Sequence, residues 1–314
     1  MRSGFTRLIV VGLALLLDVV LSPVLAAQTA TDGTPPLVGT WRLVSLERAE
    51  PNQPLAPVPN PVGILIQDTR GNVIEIVTRA GRSAPMNAAD QLMTYQAFWG
   101  TYSTDSSRLT VTYHIIGDLE PARTGRQATR SYARTGNRLV LTESSPPMRN
   151  TWERVVELEA LPDYQRDVIG FWQWVSAGLF NPKGDNLQSA SRDASVIVYT
   201  PAGLMAVIYL PPPGRKPIAG TRPTPEEARA LLQGAPTYFG PYFVHPKSSA
   251  LIRYQIGHPD PGAVGNALLR NFEIKASQLT LRFPPTMLNG QEVRNVVTLK
   301  RLSGLADLWP EFHR

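Results

Sequence analysis

The chain has 314 residues, a formal net charge of +6, 18% charged and 43% hydrophobic residues, which is enough for two domains with packed cores and excludes global disorder. Cysteine is absent, which excludes disulfides, thiolate metal sites and a lipid anchor on cysteine. Basic residues are scattered rather than gathered in a block or stripe, which argues against a nucleic-acid partner.

The first residues predict export. Arg2 and Arg7 precede the apolar run LIVVGLALLLDVVL (8–21), Ser22-Pro23 breaks it, and VLAA offers small residues for cleavage near Ala26 or Ala27. This reads as a signal peptide over 1–27. A stable membrane anchor fits less well, because the run is short of the ~20 apolar residues a span needs and carries Asp18. The expected location is secreted, in a bacterial periplasm. Cleavage removes Arg2, Arg7 and Asp18 and leaves a charge of +5.

Pro (29) and Gly (24) are abundant and long amphipathic runs are scarce, so short strands joined by turns are expected. From residue 37 the chain opens with VGTWRLVS, containing Gly39 and Trp41. After EPNQPLAPVPNPVG (50–63) comes GILIQDTRGNVIEIV (63–77), which reads as a hairpin turning near Gly71. NAADQLMTY (87–95) predicts a helical turn. FWGTY (98–102), VTYHI (111–115) and TRSYA (129–133) read as strands, and NTWERV (150–155) closes the unit.

After the polar linker EALPDYQRD (159–167) the pattern returns. IGFWQWVS carries Gly170 and Trp172. SVIVYTPAGLMAVIY (195–209) places Gly203 where the first copy has Gly71. A second Pro-rich loop, LPPPGRKPIAG (210–220), follows, and both such loops could frame a barrel mouth. TPEEARALLQG (224–234) predicts a short helix capped by Thr224, with Pro225 at its first position. YFGPY (238–242) then repeats FWGTY. A constant offset of 140 residues carries Trp99, Gly100 and Tyr102 onto Phe239, Gly240 and Tyr242. The same offset carries Gly117, Pro121, Gly125, Arg130 and Leu139 onto Gly257, Pro261, Gly265, Arg270 and Leu279. VTLKRL (297–302) closes the second unit. These matches predict a duplicated domain, with units over 37–156 and 168–302 and a tail over 303–314.

Each unit holds about seven to nine short strands with turns every 8–12 residues, as closed antiparallel barrels and sandwiches do. The repeat resembles the bacterial lipocalin-like domain family. The resemblance rests on G-x-W (Gly39–Trp41, Gly170–Trp172), on a Y-T-P-x-G-x-M hairpin complete in copy two, and on F-G-x-Y. It also rests on the closing W-E-R at Trp152–Arg154, reduced to L-K-R in copy two. It implies an all-β chain of two tandem lipocalin-like antiparallel β-barrels with short helical turns and apolar interiors. For Trp41, Trp152, Arg154, Trp172 and Arg301 a structural role is expected, a tryptophan plugging one barrel end under an arginine.

No paired histidines, nucleophile elbow, phosphate loop or dinucleotide fingerprint is present, so neither metal nor cofactor is expected. If the face carrying Thr112 and His114 is lumenal, His114 could act as acid or base, with Arg130 neutralising a developing anion. The pocket-lining candidates are Trp99, Tyr102, His114, Arg130 and Tyr132 in copy one, and Phe239, Tyr242, Tyr254 and Arg270 in copy two. The leading expectation is noncatalytic binding of a small apolar or amphipathic molecule, copy one being favoured. A cofactor-independent hydratase, isomerase or cyclase is the second reading, an envelope module with filled barrels the third. Oligomeric state is left open.

Overall fold

The computed structural model describes residues 37–49, 53–158, 161–190, 194–211 and 214–303. The expected signal peptide and the tail beyond Ser303 lie outside the described residues.

The first unit starts with β1 (Gly39–Arg48), the two-residue β2 (Ala56–Pro57), β3 (Pro61–Gln67) and β4 (Asn72–Arg79). Helix α1 (Ala88–Met93) leads into β5 (Gln96–Asp105), β6 (Thr110–Asp118), β7 (Gln127–Thr135), β8 (Arg138–Ser144) and β9 (Pro147–Arg154). Neighbouring strands pair antiparallel, and β9 pairs back onto β1 with Trp41 opposite Arg154. β1 and β3–β9 thus close an eight-stranded barrel, with β2 a small annex. Closure removes the unpaired edges an open sheet would present.

A one-turn helix, α2 (Asp163–Arg166), lies in the linker. The second unit contains β10 (Gly170–Phe180), β11 (Asn186–Ala190), β12 (Val196–Tyr199) and β13 (Leu204–Ile208). Helix α3 (Pro225–Leu232) precedes β14 (Thr237–His245), β15 (Ala250–Tyr254), β16 (Ala267–Lys275), β17 (Gln278–Arg282), β18 (Thr286–Leu288) and β19 (Gln291–Arg301). β10, β12–β17 and β19 close a second eight-stranded barrel through β10–β19, where Trp172 faces Arg301. β11 and β18 are annexes. Helix α3 starts with the expected capping box: Thr224 Oγ1 accepts from the Glu227 backbone N–H, and the Glu227 carboxylate accepts from that of Thr224.

The plugs have the same construction in both units. Trp41 and Trp172 are fully buried, and each indole N–H donates to a backbone carbonyl four residues back, Leu37 at 3.0 Å and Val168 at 2.8 Å. Arg301 lies 4.1 Å from the Trp172 ring centroid and donates to the carbonyls of Ile169 and Asp167. Arg154 stands further off, 6.0 Å from the Trp41 centroid, and Arg134 shares that ring at 5.8 Å. Gly39 and Gly170 adopt positive φ as the chain enters the first strand.

Strands β3, β4, β12 and β13 are buried on both faces. On β4, Val73 and Val77 point into the barrel, while Ile74 and Ile76 point out and are equally buried. What covers them is the other barrel. One apolar cluster joins Ile64, Ile66, Ile74, Ile76 and Trp99 of the first unit to Val196, Val198, Ala206, Ile208 and Phe239 of the second. These are corresponding positions, so the same face of each copy packs against the other, the logic of an isologous interface within one chain. Helices α1 and α3 also meet there. Polar clamps frame the seam: Trp99 Nε1 donates to the Ala194 carbonyl (2.7 Å), Arg70 to that of Leu302 (3.1 Å), and Arg82 to those of His258 and Pro259. Arg215, from the second Pro-rich loop, donates to the carbonyls of Asp118 (2.7 Å) and Leu119 (2.9 Å). That loop therefore helps to hold the seam.

Candidate functional site

The repeated F-G-x-Y motif has a structural explanation. A Cβ on Gly100 would sit 1.9 Å from the His114 carbonyl oxygen, and one on Gly240 1.9 Å from that of Tyr254. Register shifts between Trp99 and Gly100 let the strands close this tightly. The aromatic residue before the glycine points out into the seam. Gly117 and Gly257 lie against Trp99 and Phe239, where a Cβ would overlap the indole or phenyl ring at 2.4 and 2.0 Å. Tyr102 and Tyr242 point inward, and their hydroxyls donate to the carbonyls of Asp68 (2.8 Å) and Thr200 (3.0 Å) in the preceding hairpin. Burial pushes the Tyr242 hydroxyl up to about 12.

Several sequence candidates are therefore not lumenal. Trp99 and Phe239 line the junction. His114 is on the outward face of β6 and half-buried, since the lumenal residues of that strand are Val111, Tyr113 and Ile115. The alternation was legible; which parity faced inward was not. Tyr254, at the corresponding place on β15, is also outward, 38% exposed, with its ring 6.0 Å from that of Phe243. His114 and Arg130 consequently lie on opposite sides of the barrel wall and do not converge.

Arg130 does point inward, together with Tyr132. Its Nη1 donates to Glu75 at 2.6 Å and its Nε to Glu143 at 3.0 Å, and its guanidinium lies 5.2 Å from the Tyr113 ring centroid. Burial opposes its charge, but Glu75, Tyr113 and Glu143 outweigh burial and raise its pKa. Phe98 lies 5.9 Å from the same guanidinium, and the barrel's core cluster includes Trp41, Leu65, Leu141 and Trp152.

The second lumen has different chemistry at the same stations. The partners of Arg130, Glu75 and Glu143, correspond to Val207 and Phe283, and Tyr113 corresponds to Arg253. Register supports the correspondence: Arg130 lies opposite Val111 and Arg270 opposite Leu251, while Tyr113 lies opposite Tyr102 and Arg253 opposite Tyr242. Arg253 is 2% exposed. Its Nη1 donates to the Tyr238 hydroxyl at 3.3 Å, and its guanidinium lies 5.5 Å from the Tyr199 ring centroid. Its Nε and Nη2 have no hydrogen-bond partner among the described residues, and neither has Nε of Arg270. Burial disfavours the Arg253 charge, but the Tyr199 and Tyr238 hydroxyls favour it and raise its pKa. Burial, then the neighbouring Arg253, brings Arg270 down to about 10, so both remain cations at neutral pH. Half-buried Arg270 stacks on Phe283, 3.7 Å from the ring centroid.

Sequence reasoning singled out Arg270 and missed Arg253. The signal was present: the offset of 140 places Arg253 on Tyr113, two residues from Val111 and hence of one parity with it. Among the described residues no three His, Asp or Glu side chains gather as a metal site would require, and no helix is long and apolar enough to cross a membrane.

Two closed eight-stranded antiparallel barrels, each with a tryptophan plug and a largely apolar interior, define a class of small β-barrels whose interior holds side chains or one small ligand. The lipocalin-like domain family matches at residues 38–159 and again at 169–302, and the chain belongs to that family as a tandem pair. No curated protein matches the chain. Among solved structures it is similar to an uncharacterized protein from Saccharomyces cerevisiae, with 9% identity, 84% of this chain and 97% of that one covered, and a TM-score of 0.41. It is also similar to a DUF3598-family protein of unknown function from Nostoc punctiforme, with 10% identity, 85% and 97% coverage and a TM-score of 0.20.

Proposed function

We propose that the chain is an exported, noncatalytic binding protein for one small amphipathic molecule, and that the second barrel, rather than the first, is its pocket. The observation that carries this reading is the unequal state of the two lumens. In the first, the central arginine is bonded to two carboxylates inside an aromatic core. That network balances the arginine's charge and rigidifies the core, and the groups left without a partner there among the described residues, such as the Tyr113 hydroxyl and the Trp152 indole N–H, are uncharged. In the second, buried guanidinium donors lack partners, an arrangement that is costly unless something supplies acceptors. An acid–base enzyme built on His114 and Arg130 loses its support, because the two do not share a cavity. Export rests on the leader-like residues 1–27.

The direct test is to purify residues 28–314, extract the protein with organic solvent, and analyse the extract by mass spectrometry. A recurring small molecule near one per chain is the expected result. An empty extract, together with no change in thermal unfolding across a panel of lipophiles, would overturn the reading.

A further inference from the structure

The two lumens differ in the sign of their charge as well as in its satisfaction. Arg130 in the first faces two carboxylates, Glu75 and Glu143. In the second, both acids are replaced by apolar residues, Val207 and Phe283, and the phenol at the Tyr113 station becomes a second arginine. The charged and titratable groups that bear on this pair are Tyr199 and Tyr238, and no carboxylate of the described residues is among them. The nearby acid on β16, Glu273, is outward and already engaged by Arg282 (2.9 Å) and Lys275 (2.5 Å).

We infer that the second barrel binds an oxyanion, the carboxylate or phosphate headgroup of an amphipathic ligand, between Arg253 and Arg270. The inference rests on the binding function proposed above and narrows it to a ligand class. The unpartnered atoms on these two side chains, Arg253 Nε and Nη2 and Arg270 Nε, are all N–H donors. A neutral apolar ligand would leave them bare, and a cationic ligand would add repulsion. An oxyanion offers two or more acceptors and cancels charge, and charge-assisted bonds of this kind are about twice as strong as neutral ones. A guanidinium's fixed fork suits a carboxylate or phosphate. Depth orders the two roles. Arg253, 2% exposed beside Tyr238 and Tyr199, takes the headgroup. Arg270 is half-buried and stacked on Phe283, so it meets the anion from the solvent side with Phe283 against the apolar portion. Leu268, Phe272 and Ile274, which pack against the second core, supply apolar contact along β16.

The test uses residues 28–314, which contain every described strand, and calorimetric titration with decanoate, decyl phosphate, decanol and decyltrimethylammonium. Acetate and inorganic phosphate separate recognition of an amphiphile from that of a free ion. Decanoate or decyl phosphate should bind at least ~10-fold tighter than decanol, and the cation should not bind; this margin is that of one charge-assisted contact. Arg253→Met should abolish the preference for the anion over decanol. If that variant fails to fold, Arg270→Met at the half-exposed position gives the same readout. Equal binding of decanol and decanoate, or an anion preference surviving the substitution, overturns the inference while the binding function stands. Binding of acetate or inorganic phosphate as tight as that of their decyl forms overturns the amphiphile assignment. No binding of any probe overturns both readings.

Discussion

Arg130 and Arg253 are each sealed inside a barrel, yet removing them should have opposite consequences. Arg130→Met leaves Glu75, 3% exposed, as a buried charge without its partner, and breaking a buried pair in this way costs about 3–5 kcal/mol. Arg253→Met removes a cation that no acid among the described residues balances and replaces it with an apolar side chain of similar length. Unliganded protein should then be unchanged or more stable. Urea denaturation of the two variants checks both signs, and a loss of several kcal/mol in Arg253→Met would refute the unbalanced charge. The arginines also show where residue-level reading of the sequence ends. Arg130 and Arg270 stood out because they repeat, whereas Arg253 stands out only because it does not. Repetition marks what both copies share, the fold, and a ligand-specific group in one copy is by nature unrepeated.

Among the elements, β6 shows how one strand serves three surroundings. Val111, Tyr113 and Ile115 fill the lumen, Thr112 and His114 face outward, and its end at Gly117 and Asp118 meets the seam beside Trp99, Arg123 (3.3 Å) and the Arg215 loop. Burial raises the Asp118 carboxyl to about 6, despite the lowering effect of Arg123. The folded-state value exceeds the unfolded one of 3.8, so the protonated form is favoured by folding. Its stabilising contribution is present below about pH 4 and is lost as pH rises through 6, amounting to about 3 kcal/mol at most. The stability of the wild type relative to Asp118→Asn should therefore fall between pH 4 and 7, as read by denaturation at each pH. A flat difference would show that the seam does not bury this charge. The tight β5–β6 contact makes a second prediction. Gly100→Ala drives a Cβ into the His114 carbonyl and should cost about 1–3 kcal/mol, whereas Gly220→Ala, whose Cβ meets nothing nearer than 3.9 Å, should be tolerated. Chemical denaturation of both variants decides. Strand positions and helix caps could be read from turn residues and apolar spacing, because those signals are local. Lumen against exterior could not, because β4 is buried on both faces and a strand buried twice does not mark its inner side.

On the scale of the whole molecule, the shared apolar junction should make the barrels unfold as one cooperative body. Trp99→Ala removes a fully buried indole and its bond to Ala194, a change that costs about 3–5 kcal/mol in a packed core. Calorimetry should show a single transition for the wild type and two separated transitions for the variant. Two transitions in the wild type would mean that the barrels are independent. Residues 28–158 alone would expose Ile64, Ile66, Ile74, Ile76 and Trp99 as one patch, the kind of surface that drives association. Such a fragment should elute as a dimer or larger in size-exclusion chromatography, and a monomer would refute this. The sequence announced two copies plainly. It did not announce that they meet through one another's equivalent faces, because contact between distant segments leaves no periodic trace.

That mutual contact sets different rules for change on the two sides of each wall. Inside, each copy answers only to itself, and there the copies have diverged to opposite charge. Outside, Trp99 is moulded against the second copy and Phe239 against the first, so an altered shape in either half requires accommodation from its twin. Duplication thus released the lumens to specialise while binding the seam faces into joint inheritance.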